Sequence, residues 1–296
     1  MTDFVIAPEY DGKTVKTFVS KLNISRSELI RLKSRENGIL LNGVHATVRA
    51  VLKTGDVLSL QREDFEENSN ENIVPSDIPV DIIYEDNDVL AVNKPQGMPT
   101  HPSHGHFTDT LANALAFEFL KRGTPFVFRA VNRLDRDTGG IVLVAKNKGA
   151  AFAFSKLMTE GKIEKEYLAL AEGVVNEPFS VDKNIKRRQE SIIERVVCPE
   201  NEGQTALTRF YPLGNIGGNT LLRCVPITGR THQIRVHLAS VGHPIIGDGL
   251  YGKESTEYPF QQLFCTKLTL HAAEGDIVIT APSPYGKIGG NEEQPR

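Results

Sequence analysis

Ala130-Val-Asn-Arg-Leu-Asp-Arg-Asp-Thr-Gly-Gly140 runs without a break into Ile141-Val-Leu-Val-Ala145. A loop dense in charge and ending in Thr-Gly-Gly is thereby tied to a strand apolar enough to be buried. Charged groups held beside a core strand lose hydration, so they must find partners or serve a chemical purpose. Asp135 and Asp137 are the candidate carboxylates, Arg133 and Arg136 the candidate cations. Two readings stand at this point: a β-turn stapled by an Arg–Asp pair, or a carboxylate kept for chemistry.

Outward from that loop, strand-like runs (81–84, 89–93, 141–145, 167–172 and 221–226) alternate with helical ones (110–121, 148–160 and 231–240). The runs keep no strict β-α-β-α order, which predicts an α+β domain over 80–282 rather than a doubly wound one. Its second informative stretch is Ile227-Thr-Gly-Arg-Thr-His-Gln-Ile-Arg-Val-His-Leu-Ala-Ser240. Thr228-Gly229 makes a turn into a helix. On that helix Thr231, Arg235 and Leu238 share one stripe, and Gln233 and His237 another. An arginine on an apolar stripe either snorkels or is held for an anionic partner.

Residues 1–62 read as a separate small α+β module. Val15, Phe18, Val19 and Leu22 have helical spacing, and Ser25-Arg26-Ser27-Glu28 fits a capping box before a second helix. That helix carries Arg26, Arg31, Lys33 and Arg35. Asn42-Gly43 signals a tight hairpin, and Lys53-Thr54-Gly55-Asp56 turns the chain into the strand 57–60. Two short basic helices and a hairpin resemble the RNA-binding domain named after ribosomal small-subunit protein S-four.

The net charge of −3 hides a segregation. Residues 11–62 hold ten Lys/Arg against four acids, and 63–88 hold ten acids with no Lys or Arg. A basic module followed by an acidic connector points to an anionic partner more than the average does. Residues 63–79, acidic, Asn-rich and broken by Pro75, are expected to form a flexible linker, and 283–296 a disordered tail. The three cysteines, Cys198, Cys224 and Cys265, stand far apart without a CxxC pair, which argues against a disulfide framework or a zinc site. No run approaches the ~20 apolar residues of a membrane span, and the acidic N-terminus is unlike a secretory signal. A cytoplasmic monomer is expected.

NRLDRDTGGIVLVAKN, TGRTHQIRVHLASVGHPIIGD and IIYEDNDVLAVNKPQGMPTHPS resemble the signature blocks of the RluA family of RNA pseudouridine synthases, of RluC/RluD type. With KEYLAL (165–170) and LHAA (270–273) the resemblance covers residues 80–275. It implies the pseudouridine synthase fold, α+β with a mixed, largely antiparallel central sheet flanked by helices. It further implies an isomerase that needs neither metal nor cofactor and acts on RNA, ribosomal or transfer. By the same resemblance Asp135 is the catalytic carboxylate and Arg235 its ion-pair partner. Tyr167 stacks on the flipped uracil, with a possible part in proton removal, and Arg133 helps displace the base. Ile245 or Ile246 packs on the base's other face, and Arg230 of the GRTHQIR block contacts RNA. Two positions depart from the family pattern: Asn132 stands where it usually has His, and Gly139 where it usually has Ser.

The chemistry suits those roles. A base inside an RNA helix must be extruded into a pocket and stacked, at a cost of a few kcal/mol. Breaking its bond to ribose leaves positive character on the sugar and negative charge on the uracil. A dry, fixed carboxylate meets that need by nucleophilic attack or by taking a proton. Two rival readings are weaker. His101, His104, His106 and Asp109 form a metal-like cluster, but in a loop broken by Pro102 and Gly105. Asp135 and Asp137 suggest a glycosidase, but such carboxyls flank the bond from opposite sides, which suits one short loop poorly.

Overall fold

The computed structural model describes residues 2–22, 24, 26–61, 73–191, 193–272 and 275–286, with 26–28 and 31 described in backbone only. The chain forms two compact units, Met1–Glu71 and Asn72–Arg296.

The first unit contains β1 (Thr2–Val5), α1 (Val15–Val19), α2 (Arg26–Ser34), β2 (Ile39–Leu41), β3 (Val44–His45) and β4 (Val57–Leu60). Its strands pair antiparallel in the order β1-β4-β2-β3. The helical spacing of Val15, Phe18 and Val19 turns those residues onto Ile6, Leu32, Leu52 and Leu58, which form its core. Asn42 and Gly43 take φ of 52° and 80°, the conformation a two-residue hairpin demands. Asn42 also ties that turn to the next one, donating to Asp56 Oδ1 at 2.9 Å and accepting from the Val57 N–H at 2.8 Å. The capping box at Ser25 and Glu28 and most of the expected linker (62–72) and tail (287–296) lie outside the described residues.

The second unit runs β5 (Ile82–Glu85), β6 (Val89–Lys94), α3 (Leu111–Lys121), β7 (Gly139–Ala145), α4 (Lys148–Thr159), β8 (Ile163–Ala171), β9 (Phe179–Asp182), β10 (Asn184–Arg187), β11 (Arg195–Cys198), β12 (Leu207–Ile216), β13 (Asn219–Pro226), α5 (Gln233–Ser240), β14 (Leu263–Ala272) and β15 (Gly275–Thr280). Among the described residues nine of these strands form one sheet in the order β5-β6-β7-β14-β8-β13-β12-β9, with β15 on β14. The β7–β14 pairing is parallel and its other pairings antiparallel, so the sheet is mixed and the fold α+β. β14 meets β7 at Phe264 and Cys265, then passes a bulge before Lys267 and takes β15 as its neighbour. Strand β7 is buried at all seven positions, as its unbroken apolar run predicts. The hairpin β10–β11 stands apart from the sheet and packs Ile185 and Val197 on Val236 of α5 and on Tyr251.

Two boundaries differ from the sequence expectation. Residues 73–79 are held on the second unit: Asn113 donates to the Val74 carbonyl at 2.8 Å, and Ile73 and Ile78 pack on the core. Tyr285, placed in the tail, donates to Gln262 Oε1 at 3.1 Å and sets its ring edge-on to Phe264. In both places a few apolar side chains outweigh the polar composition around them. Strands β9 to β12, β14 and β15 were not foreseen. β12 in particular carries Pro212 and Gly214 at a bulge, which breaks the period-two pattern. Among the described residues no helix is long and apolar enough to cross a membrane.

Candidate active site

The loop before β7 is held from both sides. Asn132 donates to the Ile141 carbonyl at 3.0 Å and accepts from the Leu143 N–H at 2.8 Å, so its side chain acts as a further rung of the sheet. The Thr138 N–H closes a turn onto the Asp135 carbonyl at 3.1 Å, and Leu134 is buried in the core. From the other side Lys94, Gln96 and Thr100 take up the loop's carbonyls. The Lys94 ammonium donates to Pro95, Met98 and Arg136 oxygens at 2.8, 2.7 and 3.0 Å. Gln96 donates to the Asp137 carbonyl at 3.1 Å, and the Thr100 hydroxyl to that of Leu134 at 3.1 Å. Burial pushes the Lys94 ammonium down to about 7, against the pull of Asp137 and Asp135.

This clamp separates the two carboxylates. Asp137 is gripped by its neighbour: Arg136 Nε and Nη2 donate to its oxygens at 2.8 and 3.0 Å. The staple anticipated as the bland alternative therefore exists, but it uses Arg136 and Asp137. Asp135 is left for Arg235, whose Nη1 donates to its Oδ2 at 3.1 Å. Asp135 stands at a cleft of about 1270 Å³ with its side chain 30% exposed, and Asp137 does not line that cleft.

Arg235 reaches Asp135 from α5 and is itself only 8% exposed. Burial opposes its charge, but Asp248 and Asp135 outweigh that and raise the group's proton affinity. Asp248 accepts from Arg235 Nε and Nη2 at 2.7 and 2.8 Å, and the Tyr251 ring lies 5.0 Å from the guanidinium. His232, just ahead of α5, holds a left-handed φ of 58° and puts Nε2 3.7 Å from Asp135 Oδ2. Such strain in a residue other than glycine gathers at functional sites. Burial lowers the His232 pKa, with Asp135 pulling up and Arg235 pushing down.

Tyr167 occupies the middle of β8, with Cys265 of β14 and Cys224 of β13 as its cross-strand partners. These small side chains leave its ring room to face the cleft, which it lines. Burial raises its phenol well above the ordinary value, and contact with Cys265 and the field of Asp135 act in the same direction. Around it Ile163, Ile234 and Leu263 supply apolar wall.

A carboxylate locked against a guanidinium, an aromatic ring beside it and a long open cleft suit a flipped nucleotide. The model of the RNA pseudouridylate synthase family matches residues 88–240, just over half of the chain. The chain belongs to this family. It is 38% identical over 257 residues to the uncharacterized RNA pseudouridine synthase YjbO of Bacillus subtilis, covering 86% of this chain and 89% of that one. It is 31% identical over 293 residues to the ribosomal large subunit pseudouridine synthase D of Haemophilus ducreyi, covering 94% and 84%. Its fold resembles that of human RNA pseudouridylate synthase domain containing 1, with a TM-score of 0.58, 25% identity, and coverage of 70% and 84%. The enzyme is an isomerase that acts on RNA.

For an RNA pseudouridine synthase the remaining candidates fall into place unevenly. Arg133 is exposed on the cleft and has no ion-pair partner among the described residues. Arg230 also lines the cleft, its Nε donating to the Thr205 carbonyl at 2.9 Å. Ile245 and Ile246, expected against the base, line no part of it. Ile245 is buried in the main core and Ile246 packs beside Leu168 and Leu170. The β-bridge of Ile245 to Ala171 turns this segment toward the sheet, and Leu263 and Ile234 provide apolar wall instead. In the first unit Lys33 is exposed and Arg35 half-buried, while the side chains of Arg26 and Arg31 lie outside the described residues. Sequence reasoning missed Lys94, Gln96, Thr100 and Asp248. All four sit inside the motif blocks, so the signal was position in a block without a role attached. Lys165 was missed too; it lines the cleft two residues before Tyr167, and burial lowers its ammonium.

Proposed function

We propose that this enzyme converts uridine to pseudouridine in large-subunit ribosomal RNA, with Asp135 as the catalytic carboxylate. The observation that carries this reading is the 3.1 Å contact of Arg235 with Asp135 at the cleft. The guanidinium fixes the direction of the carboxylate that faces the cleft. A carboxylate so placed is able to attack the sugar or take its proton as the glycosidic bond opens. Arg235 is thus an orienting partner, and its own orientation comes from Asp248. Tyr167 stacks on the everted uracil. Burial raises the proton affinity of its phenol, and its ring lines the cleft, so stacking is the role its surroundings favour. Arg133, unpaired on the cleft, is suited to enter the space the base vacates. The apolar walls and the RNA itself keep water from the detached base, which must rejoin through carbon rather than be hydrolysed.

In this reading residues 1–62 form the RNA-docking module and use Arg26, Arg31, Lys33 and Arg35 on phosphates, in a monomeric cytoplasmic protein. The ribosomal target is supported by the name of the Haemophilus ducreyi relative. The test is pseudouridine mapping across all RNA from a strain lacking the gene, complemented with wild type or Asp135→Asn. One or more large-subunit sites should vanish, return with wild type and stay absent with the variant. Loss confined to transfer RNA would refute the ribosomal assignment, and restoration by Asp135→Asn would refute the carboxylate's role.

A further inference from the structure

Beside the catalytic cleft lies a second, smaller cavity of about 340 Å³. Its lining includes Lys186, Arg187 and Arg195 of the β10–β11 hairpin and Arg230, which also lines the cleft. No acidic side chain lines it among the described residues. The charges nearby are disposed unequally. Lys186 is paired with Glu202, and Arg188 with Glu194. Arg187 has neither a hydrogen bond nor an ion pair among the described residues, and it is exposed. It stands directly opposite Arg195 in the antiparallel register. Two like charges in direct cross-strand positions repel and weaken the hairpin. Arg195 spends its Nη1 on the Ile193 and Glu194 carbonyls, both at 3.1 Å, which does not neutralise it.

A repulsive pair set beside a third arginine, in a concavity next to an RNA cleft and with no acid in its lining, is relieved when an anion lies among them. We infer that Arg187, Arg195 and Arg230 form a phosphodiester-binding subsite that grips the RNA backbone beside the everted nucleotide. The hairpin packs against the helix that serves the catalytic centre. Ile185 and Val197 pack on Val236 of α5, the helix that carries Arg235, and the Arg195 N–H donates to the Tyr251 hydroxyl at 2.8 Å. That hydroxyl lies 2.8 Å from His232 Nδ1. A phosphate held here is therefore indexed against Asp135, so the subsite sets the register of the strand as well as adding affinity.

The experiment uses the full chain and total RNA from a strain lacking the gene, with conversion counted at the uridine that wild type modifies. Arg187→Gln is the clean variant, because Arg187 supports nothing inside the fold. It should raise KM about fivefold and reduce the slope of log affinity against log salt by about 0.7 to 0.9, as one lost phosphate contact does. Its melting temperature should equal or exceed that of wild type, since a repulsion has been removed. Arg187→Lys should recover part of the affinity. Arg188→Gln removes the same formal charge from the adjacent position on the strand's other face and should leave KM and slope nearly unchanged. Unaltered KM and salt slope in Arg187→Gln would overturn the subsite. An equal loss in Arg188→Gln would overturn it too, leaving only a diffuse basic field.

Discussion

Asp248 holds Arg235 through both carboxylate oxygens, at 2.7 and 2.8 Å, and leaves the guanidinium's Nη1 directed at Asp135, 3.1 Å away. One arginine thus bridges a carboxylate that is 1% exposed and another that opens on the cleft. Asp248→Asn removes the buried member of this set. A buried charge stripped of every partner costs about 3–5 kcal/mol, and Arg235 would keep Asp135, so denaturant unfolding should show a loss below that range. Arg235 would also lose its fixed direction. We expect kcat to fall at least tenfold with KM little changed, since Asp248 does not line the cleft. A stability loss with normal kcat would mean that Arg235 orients Asp135 unaided.

Gly139 explains one departure from the family pattern. A Cβ there would stand 2.7 Å from Phe264 Cδ1 and 3.0 Å from Cε1. The serine usual at this position does not fit while Phe264 keeps its place. Gly139→Ser should cost about 1–3 kcal/mol, the range of overpacked cores, and Phe264→Ala in the same chain should offset much of it. A double-mutant cycle read by thermal unfolding measures that coupling, and additive losses would refute the steric account.

Asn132 explains the other. Its amide serves the Ile141 carbonyl and the Leu143 N–H, and it is itself 7% exposed. Asn132→Ala would leave both backbone groups buried and unpaired, at roughly 1–3 kcal/mol each. Hydrogen exchange should show faster opening at the Leu143 amide, and turnover should drop because Asp135 follows three residues later. Unchanged protection at Leu143 would remove the staple from the account.

Lys94 makes stability depend on pH. Its folded-state pKa lies near 7, below the ordinary 10.5, because burial disfavours the charge. Below about pH 7 both states carry the proton and the full penalty applies. Between about 7 and 10.5 the unfolded chain binds more protons, so this group makes stability rise with pH, by up to ~1.4 kcal/mol per unit. The difference in unfolding free energy between wild type and Lys94→Met should therefore move in favour of wild type from pH 7 to 9. A flat difference would show that Lys94 binds its proton as it does in the unfolded chain.

Much of the fold is local in origin and could be read before any coordinates. The apolar run at 139–145, the Asn42-Gly43 turn and the helical spacing of 111–121 and 148–159 each act over a few residues. Backbone propensity and side-chain period suffice there. Strand β12, with Pro212 and Gly214 at its bulge, did not announce itself, because only its neighbours β13 and β9 make it a strand.

The sequence alone determined the family, the mixed α+β class and several of the charged residues gathered at the cleft, among them Arg133, Asp135, Arg230 and Arg235, since these reside in contiguous blocks. Residue pattern alone left open which arginine meets which aspartate, and only the family resemblance pointed to Arg235 as the partner of Asp135, where the structure has it. Arg136 is adjacent to both Asp135 and Asp137, yet it takes Asp137, and Asp135 turns to a guanidinium 100 positions away. Likewise Ile245 enters the core while Leu263 walls the cleft, and Arg187 faces Arg195 across a hairpin. Those outcomes belong to the tertiary structure. They follow from which surfaces are buried against each other, and that burial is a sum over residues distant in the chain that no local pattern records.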